Sequence, residues 1–92
     1  MPTKFNSGRV VATTAAIQAL NAAGLTSLNA YLDRHLAGDW GDLDSNAWQE
    51  NEEALKHGFR LLSVYTLPTG TRIWIITESD RSVTTVLLPS DY

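Results

Sequence analysis

The chain has no cysteine among its 92 residues. That excludes a disulfide framework, a thiolate nucleophile and any zinc site built on cysteine. No apolar run approaches the ~20 residues of a membrane span, and the start MPTKFNSGRVV lacks a signal peptide's long apolar core. The expectation is a cytoplasmic protein without membrane contact. Basic residues are scarce and scattered: Lys4, Arg9, Arg34, Lys56, Arg60, Arg72 and Arg81 form no run, and the formal net charge is −3. Phosphate backbones are bound by clustered Lys and Arg, so nucleic acid is a disfavoured partner. Weak binding through Arg60, Arg72 and Arg81 on a sheet is the form it would take. The chain also has no G-x-S-x-G nucleophile elbow, no P-loop and no G-x-G-x-x-G fingerprint. No cofactor is implied, and the expectation is a protein that is not an enzyme.

What is present is ordinary globular composition, 43% apolar, with no internal repeat and no linker. It reads as a single domain over 1–92. The helical part spans about 13–57 and a β-meander about 60–88. Residues 9–12, RVVA, are β-prone and offer a short N-terminal strand. Thr13 or Thr14 can cap a helix from about Ala15 to Ala23, and Gly24 can end it. In LTSLNAYLDRHLAG, Thr26 or Ser27 can cap, and Leu28, Tyr31, Leu32 and Leu36 fall at helical spacing before Gly38. A third helix starts near Asp44, Ser45 or Asn46 and runs to about His57, with Gly58 as its stop.

After Gly58 the period changes. RLLSVYTL, TRIWIITE and SVTTVLLP are rich in β-branched and aromatic residues. Leu67-Pro68-Thr69-Gly70-Thr71 suits a three-residue hairpin loop, with Gly70 at the left-handed position. The prediction is an α+β fold: two to three helices packed on a three-stranded antiparallel meander. Pairing Leu67 with Thr71 sets the register. One face then carries Leu62, Val64, Trp74, Ile76, Val83 and Leu87. The other carries Leu61, Ser63, Tyr65, Ile73, Ile75, Thr77, Thr84 and Val86. The first is the more apolar and is expected to receive the helices. The second is half apolar and needs partial cover from the N-terminal segment, a second subunit or a partner.

The densest chemistry lies in HLAGDWGDLDSNAWQENEEAL, His35 to Leu55. Asp42, Asp44 and Asn46, with Glu53 further on, match ligand positions of a calcium loop, but Ala47 stands where that loop needs glycine. The stretch from Ser45 is also helix-like, which removes the loop. Candidate metal ligands at this corner are His35, Asp39, Asp42 and Asp44. The expectation is instead a connector, in which His35 and His57 sit as cations at helix C-termini. Trp40 and Leu43 then tuck beneath the bend. The expected interaction surface combines Asp39, Trp40, Asp42 and Asp44 of this corner with Tyr65, Ile73 and Ile75 of the second sheet face. Its partner is an unidentified protein, with a homodimer as the alternative.

HLAGDWGDL, NEEALKHGFRLLSVYTL and IWIITESDRSVTTVLLPSDY together resemble a family of small bacterial proteins of about this length. They occur on plasmids and other mobile elements, and are often called "plasmid-related protein" or "type I restriction endonuclease subunit M". The resemblance implies a small accessory protein of mobile DNA. Base methylation by this chain is excluded. A modification subunit needs a far larger cofactor domain and an Asn-Pro-Pro-aromatic motif, and Pro2, Pro68 and Pro89 do not follow asparagine.

Overall fold

The computed structural model describes residues 3–92. Among them are three α-helices, α1 (Thr14–Ala22), α2 (Asn29–Leu36) and α3 (Ser45–His57). Four strands accompany them, β1 (Arg9–Ala12), β2 (Leu61–Thr66), β3 (Arg72–Thr77) and β4 (Val83–Leu87), and a 3-10 turn covers Pro89–Asp91. The fold is α+β. No helix among the described residues is long and apolar enough to cross a membrane.

Local chemistry explains most helix ends. The Thr13 hydroxyl accepts from the Ala16 amide at 3.1 Å, and the Asp44 carboxylate from the Ala47 amide at 2.8 Å. Each such cap stabilises its helix by about 1 kcal/mol. Helix α2 starts later than its expected caps. Leu28 holds the N-cap position without a side-chain bond, and Ser27 accepts from the Asn29 amide at 3.1 Å. Gly58, at φ 75°, ends α3 in the left-handed conformation.

Strands β2, β3 and β4 are antiparallel neighbours in succession, joined at the first turn by Leu67 N–H bonding to the Thr71 carbonyl at 2.8 Å. The expected three-stranded sheet is corrected in one respect. β1 joins it parallel to β4, giving a four-stranded mixed sheet of order β1-β4-β3-β2.

The register separates the residues as anticipated, with Val64 opposite Trp74 and Tyr65 opposite Ile73. The helices, however, pack on the opposite face from the one expected. Leu61, Ser63, Tyr65, Ile73, Ile75, Thr77, Thr84 and Val86 are buried, and Ala16 and Leu20 of α1 join Ile73, Ile75 and Val86 in one core cluster. A second cluster gathers Trp40, Ala54 and Leu61. The reason is polar rather than apolar. Helix α2 carries a buried histidine, and only the face bearing Ser63, Thr77 and Thr84 can satisfy its two ring nitrogens.

The outer edge of β2 is closed by the connector between α2 and α3. Val64 N–H donates to the Trp40 carbonyl at 3.1 Å, and Asp42 N–H to the Val64 carbonyl at 2.7 Å. One residue pair further along, the Asn51 side-chain amide donates to the Leu62 carbonyl and accepts from the Leu62 amide at 3.2 Å. A side chain thus stands in for a strand. At the other end of the sheet, Arg81 holds a left-handed φ of 60°, and its guanidinium donates to the carbonyls of Phe59, Glu78 and Ala54. That fastens the β3–β4 turn to the end of α3, whose C-terminal dipole favours a cation.

Gly41 is where the connector touches β2. Its φ is 77°, and an added Cβ would lie 2.0 Å from the Val64 carbonyl oxygen. Gly70, at φ 90°, has nothing within 4 Å of that position. Gly70→Ala should therefore cost only left-handed backbone strain, about 1–2 kcal/mol. Gly41→Ala adds a steric clash with backbone and should cost about 1–3 kcal/mol more. Denaturant midpoints of the two variants measure the difference, and equal losses would contradict this account of the edge.

Candidate functional site

The most distinctive polar arrangement runs through the centre of the molecule. His35 is completely buried. Its Nδ1 lies 2.5 Å from Ser63 Oγ and its Nε2 2.9 Å from Thr77 Oγ1. Thr77 Oγ1 is 2.7 Å from Thr84 Oγ1, which donates to the Ser7 carbonyl at 2.7 Å. That carbonyl can only accept, which orients the whole chain. Thr84 spends its proton on Ser7, so Thr77 donates to Thr84. Thr77 then has no proton left for His35, so Nε2–H donates to Thr77; with the lowered pKa keeping the ring neutral, Nδ1 accepts from Ser63. The imidazole is the neutral Nε2–H tautomer.

The surroundings favour that state. Burial, and then the nearby Arg81 cation, push the His35 pKa down from 6.5 to about 4. The Phe5 ring meets His35 edge-on at 5.3 Å, and Trp40 does so at 5.7 Å. The expectation that His35 is a cation serving a helix end is corrected: both ring nitrogens are used inside the core. His57 remains at the end of α3, exposed and 3.2 Å from Glu53.

Ser63 and His35 lie at hydrogen-bond distance, as a nucleophile and its base would. Both are fully buried, so no substrate reaches the hydroxyl. The chain of hydroxyls serves to hold α2, β2, β3, β4 and the N-terminal segment together.

The acidic corner disperses instead of converging. Asp39 pairs with Arg34 at 2.8 Å and accepts from the Gly41 amide, Asp42 accepts from Thr66 at 2.6 Å, and Asp44 caps α3. The Arg34 contact holds the Asp39 carboxyl below its ordinary range. Because α3 begins at Ser45, the calcium-like spacing is wound into a helix. Among the described residues no three His, Asp or Glu side chains gather as a metal site. Trp40 is buried, with Nε1 donating to Glu52 at 3.1 Å, and Leu43 packs beside it as expected.

Trp40, Tyr65, Ile73 and Ile75, expected at an interaction surface, are core residues and are not available to a partner. Tyr65 donates to the Asp39 carbonyl at 2.6 Å, and burial raises its pKa to about 12. The arginines of the nucleic-acid alternative also fail to converge. Arg60 is held by Tyr92 and Glu78, Arg81 is committed to carbonyls, and Arg72 begins β3 at the opposite strand end from Arg60.

The sheet face without helices is only partly open. Leu62 and Trp74 lie half-buried on it, with Val11, Val83 and Thr85 toward β1, while Ile76 and Leu87 beside them are buried. Beside β2 and β3 lies a half-open groove of about 260 Å³, lined by Arg60, Leu62, Trp74, Ile76 and Tyr92. Tyr92 packs against Trp74 at 5.6 Å, and Arg60 lies over the Tyr92 ring at 5.3 Å while donating to its hydroxyl at 2.6 Å. In sequence Leu62, Trp74 and Ile76 read as core, and their alternation was visible; what was missing was the side on which the helices land.

No family model, curated protein or solved structure matches this chain.

The buried imidazole predicts a pH dependence. Its folded pKa, about 4, lies below the ordinary 6.5. Between those values the unfolded chain takes up a proton that the folded chain refuses. The stabilisation is therefore complete above pH 6.5 and is lost as pH falls toward 4. The loss should amount to about 3 kcal/mol. Denaturant titrations at pH 7, 5.5 and 4.5 should show it. The His35 ring resonances should stay unshifted from pH 7 to 5; a midpoint near 6.5 would refute the buried neutral ring.

Proposed function

We propose that this chain is a non-enzymatic protein-interaction module, a small cytoplasmic accessory protein of mobile genetic elements. Its contact surface is the helix-free face of the sheet. The observation that carries this reading is the apolar groove between Arg60, Leu62, Trp74, Ile76 and Tyr92. A concave apolar site with a few convergent polar groups is the kind of place where proteins bind other molecules. Trp, Tyr and Arg around a pocket are also the residue types that anchor protein interfaces.

The partner class that fits is a protein offering an apolar side chain to the groove. The mobile-element setting rests on the resemblance of His35–Leu43, Asn51–Leu67 and Trp74–Tyr92. The non-enzymatic reading rests on the use of His35, Ser63 and the corner carboxylates for internal bonds. His35 and Ser63 are fully buried, and the exposed carboxylates are each engaged in a separate local bond.

Affinity capture from a bacterial host carrying such an element provides the test. The wild-type chain should retain a defined partner, and Leu62→Glu or Trp74→Ala should weaken retention at least tenfold. Melting temperatures of the variants establish that they remain folded. Absence of any specific partner, or equal capture by folded variants, would overturn the reading.

A further inference from the structure

The two edges of the sheet are treated differently. The β2 edge is closed by Trp40–Asp42 and Asn51, as described above. At the β1 edge, Arg9 N–H donates inward to Ser82 and Thr13 N–H inward to Val86. Backbone groups alternate along a strand, so the N–H and C=O of Val10 and Ala12 point outward. No proline or lysine blocks this strand. Two of the exposed large apolar side chains, Val10 at 38% and Ile17 at 41%, belong to β1 and the helix that follows it.

We infer that the β1 edge is a self-association surface: two copies pair their β1 strands antiparallel about a two-fold axis at Val11, and Arg9 of each meets Asp91 of the other. The register follows from the outward groups. Val10 lies opposite Ala12 of the partner subunit and exchanges both backbone hydrogen bonds with it, while Val11 faces Val11 of the partner subunit across the axis. The next positions put Arg9 opposite Thr13 of the partner subunit. Within each chain the Thr13 hydroxyl donates to the Asp91 carboxylate at 2.7 Å. Among the described residues Arg9 has no ion pair, and Asp91 accepts only from Thr13 and Leu88. The Leu88 amide and the Thr13 hydroxyl hold the Asp91 carboxyl below its usual range, so it is ionised at neutral pH.

A second copy is the occupant that this geometry selects. The strand is its own complement under the two-fold, and each unpaired cation then finds the unpaired anion. The inference is independent of the proposed function, because the strand edge and the groove beside β2 are different surfaces.

The test is the mass in solution across a micromolar-to-millimolar concentration series, by sedimentation equilibrium. The wild-type chain should approach twice the monomer mass. Arg9→Glu and Asp91→Arg should each weaken association at least tenfold, since each places like charges together. An equimolar mixture of the two should restore it, because both contacts become opposite-charge pairs. Trp74→Ala should dimerise normally. A wild-type monomer throughout the series, undiminished association of Arg9→Glu, or a mixture of folded variants that stays monomeric would overturn the proposal. If Asp91→Arg fails to fold, amide exchange of the wild-type chain decides. Val10 and Ala12 should be protected when concentrated and exchange freely on dilution; protection independent of concentration would refute the pairing.

Discussion

The neutral ring of His35 has two nitrogens and is shut off from bulk solvent. A buried polar atom without a partner costs about 1–3 kcal/mol, so such a ring can settle only where a donor and an acceptor are already fixed. Ser63 and Thr77 supply them from adjacent strands, and Thr84 passes the chain of bonds on to the backbone at Ser7. One side chain from α2 therefore specifies which face of the sheet the helices occupy. Apolar area alone would have chosen the other face. The decision rests on polar satisfaction, where a wrong choice is penalised more sharply than in apolar packing.

Much follows from that choice. With the helices committed to the hydroxyl-bearing face, Leu62, Trp74 and Ile76 are left on the outer side, and Tyr92 returns to cover part of it. The acidic corner is drawn to the edge of β2, where its carboxylates serve the connector. Asp39 fixes the approach, Asp42 fastens to Thr66 and Asp44 opens α3. A stretch whose composition resembles a ligand site thus serves as architecture, and a stretch that resembles core lines a groove on the outer face.

Local features were legible in the sequence because they are set by neighbours along the chain. The caps at Thr13 and Asp44, the stop at Gly58, the 67–71 turn and the two-fold alternation of the strands all belong to this class. Long-range features were not. Whether β1 pairs with β4, and which sheet face is covered, depend on contacts between residues 28 to 78 positions apart, which periodicity does not encode. A signal for the second was nonetheless present. Three hydroxyl residues, Ser63, Thr77 and Thr84, fall on one face of an otherwise β-branched and aromatic sheet. Buried hydroxyls in such numbers imply a polar group coming to meet them, and His35 was the candidate in the helical part. Asn51 carried a similar signal: an amide on the apolar side of α3 has the donor and acceptor needed to face a strand edge.

Asn51 and the Trp40–Asp42 segment have a consequence for assembly as well as for stability. β-Sheets with two open rims can add strands indefinitely, the route to fibres. Here one rim is capped by the chain's own side chain and connector. Any growth through the remaining rim uses it up and stops at a closed pair. The molecule is in this sense polymer-terminated from within, and opening both the Asn51 cap and the Trp40–Asp42 connector would turn a self-limiting surface into a propagating one.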